Sequence, residues 1–342
     1  MEELANKIVD IIYDYRSESG ISLDKDHVLT WVSQFDEDDR GFLLSEFLHI
    51  LPKSYISKEL VIDEFNQIFE YLSTYNKYDS IIAFLSHAKF LSCQSEVKSQ
   101  TKLLAFLDTI CFDQYGINLK NCGSEGIKHW IYLDDVLASG GTFKREIINE
   151  INTYGIDKIN EEKISIIPIF FFLHTWGGNI IKYSIKQEFN IDIVFHRVFE
   201  IQNDPRINYY NQNPLFNHVY ISSDQGNEKL DAYLNNLDAS KHKEFAYRIM
   251  GMPKTEGFYS SANNRQRYEK IILDKSIEIL SRASSLAPSI RPLGLTYPSY
   301  QTFGTGSHAF TWRNVSNTCP VVFWWENHGW HPLFPVENRG NH

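Results

Sequence analysis

Apolar residues recur with helical spacing through the first 75 positions. Leu4, Ile8, Ile11, Ile12 and Tyr15 share one face. Asp36 is placed to cap a helix over 38–50, with acids crowded into its first turn and Pro52 beyond its end. Ser57 precedes a third helix striped by Leu60, Val61, Phe65, Ile68, Phe69 and Leu72. Trp31 and Phe35 read as core of this helical layer.

From about residue 80 the period changes. Residues 80–85 form a short apolar run, predicted as a buried strand, and 86–98 as a loop. Further strands are predicted at 130–133, 164–173 and 191–195, alternating with helices at 99–112, 143–154 and 179–189. Strands alternating with helices imply crossovers and a parallel sheet, with any ligand beyond the carboxyl ends of the strands. Residues 203–260 are rich in Asn, Gln and Tyr and predict an insertion with helices at 228–234 and 241–250. A long helix follows at 261–281. From about residue 291 the chain is dense in Gly, Thr, Asn and aromatic residues. The resulting division is 1–75, 76–200 and 201–342.

Composition narrows the function classes. With 342 residues and 43% hydrophobic content, the chain can bury a substantial core. Its formal net charge of -10 argues against a broad basic surface for non-specific nucleic-acid binding. The four cysteines, Cys93, Cys111, Cys122 and Cys319, form no C-x-x-C pair, so reduced thiols are expected. The longest apolar run, 166–173, is too short for a bilayer, and the acidic start lacks a signal-peptide pattern. The expectation is a cytoplasmic protein without membrane association.

The chemistry concentrates at 130–142. An apolar run leads into Asp134 and Asp135, and the small residues Ala138, Ser139, Gly140, Gly141 and Thr142 precede a helix. Backbone N–H groups of such a loop and the dipole of the following helix suit a phosphate. The two acids suit sugar hydroxyls or a metal riding on them. The alternative is an ordinary strand–turn–helix junction with exposed acids.

This segment resembles the phosphoribosyl-pyrophosphate (PRPP) loop of the type I phosphoribosyltransferases: four apolar residues, two acids, two apolar residues and a small loop ending in Thr. Tyr132 departs from the pattern, where a smaller aliphatic residue is usual. The resemblance implies an α/β fold with a Rossmann-like parallel sheet, a helical N-terminal extension and a C-terminal cap. It implies that Asp134 and Asp135 act catalytically, holding the ribose hydroxyls and Mg2+ bound through ribose and pyrophosphate, while 138–142 wraps the 5'-phosphate. Purine-salvage members often carry a carboxylate where Ala138 stands, and Ala138 accepts no proton. A pyrophosphate loop is expected around Lys98, Ser99 and Gln100, where a plain helix cap with an exposed Lys is the alternative.

A second candidate lies at 304–320, where Arg313, Asn314 and Asn317 offer planar donors for an acceptor base or phosphate. Trp312, Trp324 and Trp325 are available for stacking; a hairpin with a buried aromatic face is the alternative. A weaker candidate, Glu326 with His328 and His331, has metal-binding residue types in no recognised zinc spacing. The C-terminal segment and the helical N-terminus resemble the phosphoribosyltransferase-like effectors of bacterial antiphage systems. Some of these lie beside retron reverse transcriptases, with their nucleic acid, and winged-helix partners. The resemblance implies (phospho)ribosyl transfer or N-glycosidic cleavage in defence. The competing expectation is a non-catalytic PRPP or nucleotide sensor, or a structural subunit of a nucleoprotein complex.

Overall fold

Helix caps and strand alternation account for most of the chain's local structure. The computed structural model describes residues 1–94, 99–237, 243–283, 286–287, 290–296, 299, 301–326 and 329–336. In chain order the elements begin with α1 (Glu2–Ile12), α2 (Lys25–Ser33), α3 (Glu37–Ile50), β1 (Tyr55–Ile56) and α4 (Lys58–Tyr75). Then come α5 (Ile81–Leu85), β2 (Ala88–Phe90), α6 (Ser99–Tyr115), β3 (His129–Leu137), α7 (Gly141–Tyr154), α8 (Ile156–Glu162), β4 (Ser165–His174), α9 (Thr175–Phe189) and β5 (His196–Ile201). The remainder comprises α10 (Pro205–Tyr210), α11 (Glu228–Asn236), α12 (Ala262–Ser281), β6 (Phe310–Thr311) and α13 (Val321–Trp324).

The chain divides into two compact units, residues 59–200 and residues 1–58 with 201–342. This division groups nearly all of α4 with the sheet, whereas its apolar stripe reads in sequence as part of the N-terminal helices.

The first unit holds a four-stranded sheet in the order β2-β3-β4-β5. The β2–β3 and β3–β4 pairs are parallel, with Trp130 opposite Lys89 on one side and Ile166 on the other. Strand alternation sends the side chains of β3 to opposite faces. Trp130 and Tyr132 face α7, where they meet Tyr154 at 5.2 Å and Phe143 at 4.8 Å between ring centroids. Helix α4 contributes Phe65, 5.9 Å from Phe171 of β4, and Phe69, 6.2 Å from Phe90 of β2. The sheet is thus covered by aromatic rings, each burial contributing about 2 kcal/mol.

Three sequence expectations change here. Residues 80–85 form a helical turn, not a strand, because the Ser80 hydroxyl accepts from the Ala83 N–H at 3.1 Å and caps it. The first strand of the sheet is β2, three residues long. Residues 191–195 are not a strand either. The fourth strand starts at His196, and its polar residues Arg197 and Glu200 pair with each other at 2.6 Å.

The second unit joins both chain ends. Trp31 of α2 stacks on Phe323 of α13 at 5.7 Å, and its indole N–H donates to the Val322 carbonyl at 3.0 Å. Strand β1 pairs in parallel with β6, Tyr55 opposite Phe310. Helix α12 is capped by Ser261, which accepts from the Asn264 N–H at 3.1 Å. It carries a buried ionic cluster: Arg265 lies 2.5 Å from Glu256 and 3.2 Å from Glu269, and Arg248 lies 3.0 Å from Glu269. The helix expected over 241–250 is absent from its described part, which forms one 3-10 turn over Lys243–Phe245 and then bends. The apolar run at 321–325 is a short helix, since Pro320 sets up its first turn and the Trp325 N–H donates to the Val321 carbonyl at 2.9 Å.

Candidate functional site

Strand β3 runs through both acids to Leu137, so Asp134 and Asp135 lie near its carboxyl end and still alternate across the sheet. Their carboxylates are held from different sides. Asp134 Oδ1 accepts from the Asp135 N–H at 2.9 Å, and Asp134 Oδ2 lies 3.4 Å from the Gln94 amide nitrogen. Asp135 accepts a short hydrogen bond from the Ser99 hydroxyl at the start of α6. Gln94 and Ser99 are thus each tied to one of the two acids.

Asp134 belongs to a partly buried polar cluster on the α7 side. The Tyr132 hydroxyl donates to Glu146 Oε2 at 2.7 Å, and Gln94 Nε2 lies 3.4 Å from that same oxygen. Burial, reinforced by the charge of Asp135, pushes the Asp134 carboxyl up to about 7. Burial and the neighbouring acids likewise raise the Tyr132 phenol far above its ordinary value, so it remains a donor. Cys93 is pushed up to about 12 by burial and by Glu150 and Glu146, which makes it an unreactive thiol.

The small-residue loop follows at once. Gly140 has φ +76°, a left-handed conformation that favours glycine, and it is the residue before α7. A side chain there would also meet Ile181 of α9 at 2.4 Å. From behind, Gly177 of α9 lets the helix approach the Ala138 carbonyl. Ser139, Gly141 and Thr142 are exposed. The Gly141 N–H donates to the Ser139 hydroxyl at a long 3.4 Å, and the N-cap residue Gly140 offers no side chain to cap α7. The first-turn N–H groups of a 14-residue helix therefore face the loop, an arrangement that receives anions. His174, at the end of β4, is fully buried and pushed down to about 3 by burial, so it adds no positive charge.

Among the described residues no group of three or more His, Cys, Asp or Glu side chains is arranged to hold a metal ion. Two carboxylates are nonetheless the donor set expected for Mg2+ that arrives on substrate oxygens and keeps most of its ligands there. His331, offered with Glu326 and His328 as a metal group, instead lies with Nε2 3.2 Å from His27 Nδ1, and His328 falls outside the described residues.

The other sequence candidates are dispersed. Lys98 lies outside the described residues. Gln100 is buried, and its Oε1 accepts from the Cys93 N–H at 2.9 Å, which braces the end of β2. In the other compact unit, Arg313 stacks on Trp312 at 5.8 Å, the Asn314 N–H donates to the Thr311 hydroxyl in a tight turn at 3.1 Å, and Asn317 is exposed. Trp312 and Trp324 are buried. Gln94, Glu146 and Gly177 escaped the sequence reading. Only the consecutive Gly177 and Gly178 within a helical stretch signalled a close backbone approach.

Comparison with known proteins yields one match: the PRTase-CE family model, over residues 28–336. No curated protein and no solved structure matches the chain.

Proposed function

This chain belongs to PRTase-CE, a phosphoribosyltransferase-like family, and on that premise we propose that it binds PRPP or a related ribose phosphate. We infer that it transfers the (phospho)ribosyl group or cleaves an N-glycosidic bond. The observation that carries the reading is the passage from Asp134 and Asp135 through Gly140 into the uncapped start of α7. In this reading the 5'-phosphate takes the N–H groups of the loop and the helix start. The ribose hydroxyls donate to the carboxylates of Asp134 and Asp135. Mg2+, when bound with the substrate, would be held by those two acids and would neutralise pyrophosphate.

Transfer breaks the bond from the anomeric carbon to the pyrophosphate oxygen, which leaves with the electron pair, and an acceptor atom bonds to that carbon. The transition state is cation-like, and in this reading the negative charge of the two carboxylates would stabilise it. Ala138 offers no proton acceptor, so a nucleophilic acceptor fits this loop better than one needing a base from that position. The same feature favours a second reading, in which the protein senses PRPP without turnover.

Calorimetry with PRPP and magnesium, followed by assay of released pyrophosphate, tests both. Binding with release supports transfer, and binding without release supports sensing. Asp134→Asn with Asp135→Asn should abolish binding while circular dichroism stays unchanged; binding retained in that variant overturns the reading. We further propose an antiphage setting with a reverse transcriptase or winged-helix partner; co-purification of that partner, and loss of expression toxicity in the same variant, test it.

A further inference from the structure

In the polar cluster beside Asp134 one amide is shared between two carboxylates. Gln94 Nε2 lies 3.4 Å from Asp134 Oδ2, 3.4 Å from Glu146 Oε2 and 3.5 Å from the Tyr132 hydroxyl. The Tyr132 hydroxyl is itself a donor, so the amide's hydrogens face two carboxylate oxygens, each at a long 3.4 Å, and the amide closes on one by drawing away from the other. The allocation is decided by Tyr132, whose hydroxyl donates its own hydrogen to Glu146 Oε2 at 2.7 Å. That bond is short and charge-assisted, so it meets the demand of Glu146 and leaves the Gln94 amide for Asp134.

The tyrosine is held firmly enough to do this. Its ring is fully buried, 4.8 Å from Phe143 and 5.8 Å from Phe170. The hydroxyl is therefore fixed over α7 by packing on the same strand that carries the acids. An aliphatic residue at position 132 would pack against those rings and leave Glu146 to compete for Gln94. The departure of Tyr132 from the surrounding apolar pattern thus has a chemical consequence that reaches Asp134 through Glu146 and Gln94.

We propose that Tyr132 and Glu146 form a positioning pair that, through Gln94, orients the Asp134 carboxylate toward the ribose of a bound ribose phosphate. This rests on the function proposed above. Neither residue touches the substrate. Tyr132 spares Gln94, Gln94 holds Oδ2, and the Asp135 N–H holds Oδ1 at 2.9 Å, so both oxygens of Asp134 have fixed directions.

The test is a double-mutant cycle on affinity for PRPP with magnesium. Tyr132→Phe keeps the ring and removes the hydroxyl, and it should weaken binding about fivefold. In a Glu146→Ala background the same change should leave affinity unmoved, because the competitor for Gln94 is gone. A merely structural tyrosine would weaken binding equally in both backgrounds, and that additive result overturns the proposal. Should Glu146→Ala fail to fold, Gln94→Leu replaces it, with the same expectation that Tyr132→Phe becomes silent. Wild-type protein that binds no PRPP overturns the parent reading together with this one. Wild-type binding with an unaffected Tyr132→Phe variant overturns this one alone.

Discussion

A Cβ atom on Gly177 would lie 1.9 Å from the carbonyl oxygen of Ala138, so helix α9 and the small-residue loop meet backbone to backbone. The loop is shaped from behind by a helix that contributes no functional group to it. Gly177→Ala should displace the loop, destabilise the fold by about 1–3 kcal/mol and abolish PRPP binding. Thermal melting and calorimetry read the two effects. Gly178→Ala, whose Cβ would meet Leu173 at 3.3 Å, should be milder on both.

Asp134 gives the protein a pH dependence of definite sign. Its carboxyl is raised from 3.8 to about 7 by burial and by Asp135. Between those values the folded chain holds a proton that the unfolded chain releases, so this group makes stability fall as pH rises. Asp134→Asn removes the slope. Urea denaturation at pH 5 and pH 8 should show the variant gaining on wild type at the higher pH. Ligand binding that needs the ionised carboxylate should strengthen over the same interval.

Buried histidines act in the opposite direction. His129 is lowered to about 4, and His174 and His308 to about 3, each chiefly by burial. Unfolded histidines titrate near about 6.5. The stability these three contribute is present above that value and is lost as pH falls toward their folded values. Unfolding at pH 5 should take up about three protons from this set, offset by the one that Asp134 gives back. Potentiometric or calorimetric proton counting checks the balance.

Glu269 is fully buried between Arg265 and Arg248. Removing Glu269 leaves Arg265 with Glu256 but strips the buried Arg248 of its carboxylate, so Glu269→Ala should cost about 3–5 kcal/mol. Lys7→Ala, which breaks an exposed pair with Glu3, should leave the denaturation midpoint essentially unchanged. Chemical denaturation of both variants measures the contrast.

Much of the sheet unit could be read from the sequence because its signals are local. The strand entering Asp134, α7 and β4 each carry a period or a long apolar run, and the loop between the first two carries its glycines. The failures have physical causes too. Residues 80–85 are an apolar run too short to reveal a period, and Ser80 settles them as a helical turn. Strand β5 is masked by its polar residues. At the site, the acids and the loop were legible as a contiguous motif. The bond from Tyr132 to Glu146 joins a strand to a helix across 14 positions, and Gln94 enters from another segment. No spacing rule within one element encodes such a meeting.

The pairing of β1 with β6, and of Trp31 with Val322, carries a consequence for synthesis. The N-terminal helices emerge from the ribosome long before the residues that complete their core. The sheet unit of residues 59–200 is continuous in sequence and has its own core, so it can fold first. Until residues 310–334 arrive, Trp31, Phe35 and Phe47 lack the rings that bury them. These helices therefore wait longer for their partners than the sheet unit does, and their aromatic face stays uncovered until residues 310–334 are made.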